Sequence, residues 1–296
     1  MNQNIKIENY DVKEVKITDK KYPKSLLTIQ RPPEKLYAIG NLELLNLPSI
    51  AIVGSRNISD YGIRNCKNFA SEFAKRNIPI VSGMAIGTDS VAHIEAVKIG
   101  SPTIAVLGTG FNFIYPVENL ELMHRIIEKN GLIITECEKD VDFNPKKFAK
   151  RNRIISGLAL CVLVIEAAYR SGTSVTVNYA KKQGKKVFAL PGRLDLTNGI
   201  GVNNFIKEGA QMVTCVEEII NEYLEFKNTI LPKDKKTIPK VKKEYKEILD
   251  NLEDGKSMDE LLWITKKDKY ELLEILINLE NLGLIKQENG IGYKLI

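Results

Sequence analysis

Six short apolar runs punctuate the first three quarters of the chain: "SIAIVG" (49–54), "IPIVSG" (78–83), "PTIAVLG" (102–108), "GLIIT" (131–135), "LCVLVIE" (160–166) and "KKVFALPG" (185–192). Each is continuous rather than alternating, so each predicts a strand buried on both faces. Helix-length amphipathic stretches separate several of them, among them "YGIRNCKNFASEFAKRN" (61–77) and "NLELMHRIIEKNG" (119–131). Strand and helix in alternation predict an α/β fold. The expected form is a Rossmann-like, doubly wound, mostly parallel sheet over residues 48–226.

The flanks read differently. Residues 1–47 form a polar lead and connector with one short strand at about 35–39. The strand–helix pattern stops near 225, and residues 227–242 read as a Lys/Pro-rich linker. Within "PKDKKTIPKVKKEYK" (232–246), seven lysines face two acids. Residues 243–296 then predict helices at about 243–252, 257–263 and 267–281 and a hairpin turning near Asn289-Gly290. That order is winged-helix-like. The third helix begins with Lys266, Lys267 and Lys269 but carries Glu271, Glu274 and Glu280 along its length. Nucleic-acid binding and a protein-contact or regulatory role are both open for this small domain.

Composition narrows the function classes. No apolar run approaches the ~18 residues of a membrane span. The polar start has no signal-peptide core, which places the chain in the cytoplasm. Cys66, Cys137, Cys161 and Cys215 are far apart and show no CxxC spacing, so they predict reduced, mostly buried thiols rather than a disulfide frame or zinc site. His93 and His124 are the two histidines. Net charge is +6, and the linker segment holds most of it, so any basic site elsewhere is local.

Open parallel sheets bind ligands at the carboxyl ends of their strands, so those loops carry the candidates. Gly54-Ser55-Arg56 matches only the first glycine of G-x-G-x-x-G, and no Walker loop occurs; no cofactor is expected. Backbone N–H groups at a helix start, with Ser55 and Arg56, suit one or two phosphates. The plainer alternative is a tight turn at Gly54 with Arg56 paired to a carboxylate. In "SGMAIGTDSVAH" (82–93), Asp89 fits a helix start, and His93 one turn later is placed to hydrogen-bond it. "NPKKFAKRNRIISG" (144–157) has five cations and no acid. Lys147, Lys150, Arg151, Asn152 and Arg153 around Phe148 suit a single nucleic-acid strand, with cations on phosphates and the ring on a base. A solvated basic helix end is the alternative. Ser171, Gly172 and Thr173 start another helix and form a second phosphate cradle. About four phosphate contacts would give a salt slope of about −3 for a single strand.

In order and spacing, these stretches resemble the DprA/Smf family, the DNA-processing proteins of natural transformation. The resemblance runs over about 21–222, through "AIVGSR", "SGMAIGTDSVAH", "VLGTG", "YPVEN", "FAKRNRIISGL", "VIEA", "SGT", "FALPG" and "GVNNFIKEGA". It implies a non-enzymatic protein that binds single-stranded DNA, forms a homodimer and loads the recombinase RecA, with a winged-helix-like C-terminal domain. The implied strand-binding pocket falls on Gly54, Ser55 and Arg56, with Phe148, Lys150, Arg151 and Arg153 nearby. The chain departs from the family pattern at Ile86, where arginine is frequent, and at Ser174, where an apolar residue is usual. The family's N-terminal helical domain is expected to be absent. The alternative reading is a phosphoribohydrolase-like nucleotide hydrolase, to which "SGT" (171–173) is similar. That chemistry wants a glutamate where Thr176 stands.

Overall fold

A computed structural model describes residues 10–227, 243–252, 255–281, 284–288 and 292–295. The expected linker, except Lys227, and the expected hairpin turn lie outside the described residues. The chain divides into two compact units, one of Val12–Thr237 and one of Met1–Asp11 with Ile238–Ile296.

The larger unit is built on a nine-stranded sheet. Its strands are β1 (Lys13–Lys16), β2 (Lys35–Gly40), β3 (Ile50–Val53), β4 (Ile80–Ser82), β5 (Thr103–Leu107), β6 (Leu132–Thr135), β7 (Cys161–Val164), β8 (Lys186–Ala189) and β9 (Gln211–Met212). Their order is β1-β2-β6-β5-β4-β3-β7-β8-β9. From β6 to β9 all neighbours are parallel. The six apolar runs supply β3 to β8, as their continuous burial predicts. The helices are α1 (Lys24–Leu27), α2 (Asp60–Lys75), α3 (Thr88–Ile99), α4 (Leu120–Glu128), α5 (Pro145–Leu158), α6 (Gly172–Lys182), α7 (Thr197–Lys207), α8 (Glu217–Ile220) and α9 (Leu224–Lys227).

Alternation along β3 shows how the sheet is covered. Ala51 and Val53 join a core with Leu26 of α1, Ile154 and Ile155 of α5, Val177 of α6 and Val202 of α7. Ile50 and Ile52 join the opposite core, with Phe69 and Phe73 of α2, Ala92 and Ala96 of α3, and Ile219 of α8. Successive side chains of a strand point to opposite faces, so one apolar run feeds both layers.

Residues 13–40 differ from the expected lead. β1 and β2 belong to the same sheet, antiparallel to each other and, through β2, to β6. β1 reads as polar because it is an edge strand in which only Val15 is buried.

Strand order also fixes where a ligand can enter. From β3 the chain steps outward through β4, β5 and β6, then crosses back to place β7 on the other flank of β3. The loops after β3 and β7 therefore diverge, leaving a crevice at their carboxyl ends.

His93 is part of the core rather than a partner of Asp89. Its Nδ1 lies 2.9 Å from Thr103 Oγ1, whose own proton goes to Ile80 O at 2.6 Å. The hydroxyl must therefore accept, so Nδ1 carries the imidazole proton. Burial, with Arg151 as the lesser cause, pushes the His93 pKa down to about 3. Below pH ~6.5 the unfolded chain gains a proton that the folded chain refuses, so stability falls as pH drops from there toward 3. The loss reaches about 2 kcal/mol at pH 5. Denaturant unfolding at pH 7 and 5 should show this loss in the wild type and a flatter dependence in His93→Gln.

The smaller unit contains α10 (Lys243–Asp250), α11 (Met258–Thr265), α12 (Lys269–Asn281) and the antiparallel strands β10 (Ile285–Glu288) and β11 (Gly292–Leu295). A capping box between Ser257 and Glu260 starts α11. Ile248, Leu252, Leu261, Leu272, Leu276 and Ile285 form its own core.

Candidate functional site

The loop after β3 is held rigidly. A Cβ on Gly54 would collide with Thr88 Oγ1 and reach 3.0 Å from Glu166 O, so the close approach this glycine allows comes from the protein itself. Thr88 donates from both N and Oγ1 to Ser55 O, at 3.1 Å each. Ser55 Oγ donates to Asn198 Oδ1 at 3.3 Å and accepts from Asn57 N at 3.1 Å, so its proton is spent on shaping the loop. Glu166, just beyond β7, accepts from Ser59 N at 2.9 Å and Ser59 Oγ at 2.5 Å and ties β7 to the start of α2. Arg56 is exposed at the loop tip. Among the described residues its guanidinium makes no hydrogen bond or ion pair, so the carboxylate pairing weighed above is not found.

Beneath this loop lies a buried charge pair. Arg151, from the middle of α5, is 4% exposed. Its Nη1 donates to Gly83 O at 2.6 Å and to Val106 O, carbonyls at the ends of β4 and β5. A Cβ on Gly83 would lie 2.7 Å from Asp89 Oδ2 and 2.8 Å from Arg151 Nη2, which locates both groups against that residue. Asp89 Oδ2 accepts from Gly83 N at 3.1 Å and Ala85 N at 3.3 Å. Burial pushes the Asp89 carboxyl above the usual carboxylate range, against the opposing pull of Arg151 and these N–H groups. Burial likewise pushes Arg151 down to about 10, with Asp89 opposing and Arg56 adding to the shift.

On the β7 side, Ser171 precedes α6, and Gly172 and Thr173 open it. The first N–H groups of a helix have no intrahelical acceptor. Ser171 Oγ is buried with no partner, and the space beside Gly172 is open. Asn152 spans the two sides. Its Oδ1 accepts from Arg151 Nε at 3.2 Å, and its Nδ2 donates to Gly172 O at 3.5 Å.

Together these walls enclose a cleft of about 480 Å³ at the β3/β7 crossover. It brings together Gly54, Ser55, Arg56, Arg151, Asn152, Ser171, Gly172 and Thr173. Lys147, Phe148, Lys150 and Arg153 do not line it. Arg153 faces inward, 3% exposed, with Nη2 at 2.7 Å from Glu136 Oε2, so it is not open to a phosphate. Lys150, which is exposed, lies 3.2 Å from the same carboxylate. Phe148 is 6% exposed and packs against Tyr115 and Phe143, so its ring offers no open face for stacking. One face of α5 had to enter the core, and basic composition alone does not say which cations go with it.

Asn57, Ala85, Thr176 and Asn198 also line the cleft but are not among the residues expected from the sequence. Asn198 is the most consequential, because its Nδ2 donates to Asn57 O at 2.5 Å while its Oδ1 accepts from Ser55. Its only sequence signal is the "TNG" that opens α7 ahead of "GVNNF". Among the described residues, no group of three or more His, Cys, Asp or Glu is placed to hold a metal ion. No helix among them is long and apolar enough to cross a membrane.

Comparison with known proteins places this architecture. Residues 13–224 match the family model of DNA recombination-mediator protein A. Protein Smf of Escherichia coli strain K12 is 43% identical over 205 residues, 69% of this chain and 54% of that protein. The chain thus spans about half the length of that relative. DNA processing protein DprA of Streptococcus pneumoniae strain R6 is 38% identical over 210 residues, 70% of this chain and 73% of that protein. The solved DprA structure from Streptococcus pneumoniae superposes with a TM-score of 0.68 at 35% identity, over 73% of this chain and 76% of that one. DNA processing protein A of Helicobacter pylori, solved for its single-stranded DNA binding mode, gives 0.65 at 32% identity over 73% and 96%. A family-model match across nearly the whole larger unit, with relatives 43% and 38% identical over more than two thirds of the chain, leads to one conclusion: the chain belongs to the DNA recombination-mediator protein A family.

Proposed function

We propose that the cleft holds the sugar–phosphate backbone of single-stranded DNA and that the protein binds the strand without turning it over. The observation that carries the reading is the meeting, in one cleft, of the Arg56 guanidinium, the start of α6 and the Ser171 hydroxyl, the first and last without a partner among the described residues. All three supply donors suited to an anion. Arg151 and Asp89 act as a rigid floor beneath them. The single-stranded DNA binding named for the Helicobacter pylori neighbour supports the same reading. Family membership supports the finer reading that two copies pair and deliver the strand to RecA.

With Arg153 and Lys150 both held by Glu136, about three cations remain for phosphates: Arg56, Lys146 and Lys147. The affinity for a labelled oligo-dT strand should therefore fall with log[salt] at a slope of about −2. Absence of strand binding at low salt would overturn the reading. Release of free base from AMP would favour the nucleotide-hydrolase alternative instead.

A further inference from the structure

We infer that Tyr115 and Phe143 form a base-stacking shelf beside the phosphate cleft, an inference that rests on the strand-binding reading above. The two rings are 42% and 40% exposed, and their centroids lie 4.3 Å apart. Both rest on buried Phe148, at 5.7 Å edge-on from Tyr115 and 4.9 Å from Phe143. Phe148 in turn lies 5.3 Å from the Arg151 guanidinium, which lines the cleft. The shelf is thus one side chain removed from the cleft, and Phe148 serves as its support.

Charge around the shelf fits a nucleic-acid strand. Lys146 and Lys147, on the first turn of α5, make no ion pair among the described residues. In the preceding loop, Glu138 is paired with Lys35 at 2.7 Å, and Asp140 accepts a hydrogen bond from Asn112 at 2.5 Å. A neutral amide leaves the Asp140 charge in place, so Asp140 and Asp142 stand against Lys139, Lys146 and Lys147. Cations beside open aromatic faces are the arrangement that binds single strands with little sequence preference. Tyr169, another exposed aromatic near the cleft, already has the Arg170 guanidinium 5.1 Å from its ring centroid.

The test compares oligo-dT with a strand of equal length made of abasic sites, for the wild type, Phe143→Leu, Tyr115→Leu and Arg56→Ala. Leucine keeps apolar packing but removes the π-face. The wild type should prefer oligo-dT. Each leucine variant should bind oligo-dT about tenfold more weakly, with an unchanged salt slope and the preference lost. Equal wild-type affinity for the two strands overturns the shelf, even where a leucine variant fails to fold. So does wild-type-like binding of oligo-dT by both leucine variants while Arg56→Ala binds it weakly; that result leaves the strand reading intact. A wild type that binds neither strand overturns both.

Discussion

Arg151→Ala should destabilise the larger unit by about 3–5 kcal/mol, because it removes one partner of a buried charge pair. Two consequences add. The Gly83 and Val106 carbonyls lose their donor, and Asp89 is left as a buried carboxyl whose opposing charge is gone. For a domain of this size the midpoint of thermal unfolding should fall by roughly 6–20 °C. Arg151→Lys should lose less, since it keeps a positive charge near Asp89 while sacrificing the planar fork. Asp89→Asn combined with Arg151→Ala should cost less than the sum of the two single changes, as expected for coupled groups. A melting point for Arg151→Ala within about 2 °C of wild type would show that the guanidinium is not the floor described above.

Gly87→Ala should have the second-largest effect. Gly87 sits at φ +82°, a backbone conformation that side-chain-bearing residues adopt at a cost of about 1–3 kcal/mol. A Cβ there would also collide with Ser55 O and Arg56 O, which must move to admit it. Moving them breaks the Thr88 hydrogen bonds and displaces the loop that presents Arg56, so affinity for a single strand should fall about tenfold, by ~1–2 kcal/mol. Gly100→Ala separates the two causes. Gly100 has φ +83°, but nothing lies within 4 Å of a Cβ built on it. It should therefore show the backbone strain in a denaturant titration and leave strand affinity unchanged. Equal strand affinity for Gly87→Ala and wild type would mean that the β3 loop does not need its clamp.

What the sequence shows and what it hides follow from the same physics. Continuous apolar runs revealed β3 to β8 because strands buried on both faces have no polar positions to blur them. β1 stayed hidden because an edge strand buries one residue in four and is otherwise charged. At the site, Gly54, Arg56 and the start of α6 could be read from local residue order, since glycine, hydroxyl and cation at a strand–helix joint carry their own chemistry. The fates of Arg151, Arg153 and Phe148 could not. All three lie on one basic helix, and their roles depend on Gly83, Val106, Glu136 and Tyr115, which tertiary packing brings in from other loops. Asn198 was missed for the same reason, being 143 residues from Ser55.

In the strand-binding reading a phosphate sits on the Arg56 loop. The most direct measurement is the affinity of labelled oligo-dT for wild type and Arg56→Ala across a salt series. Arg56 is exposed and has no hydrogen-bond or ion-pair partner among the described residues, so the substitution should leave thermal stability unchanged. Arg56→Ala should bind more weakly, with a salt slope shallower by about 0.7, the contribution of one phosphate contact on a single strand. Equal affinity and equal slope for the two proteins would contradict that reading.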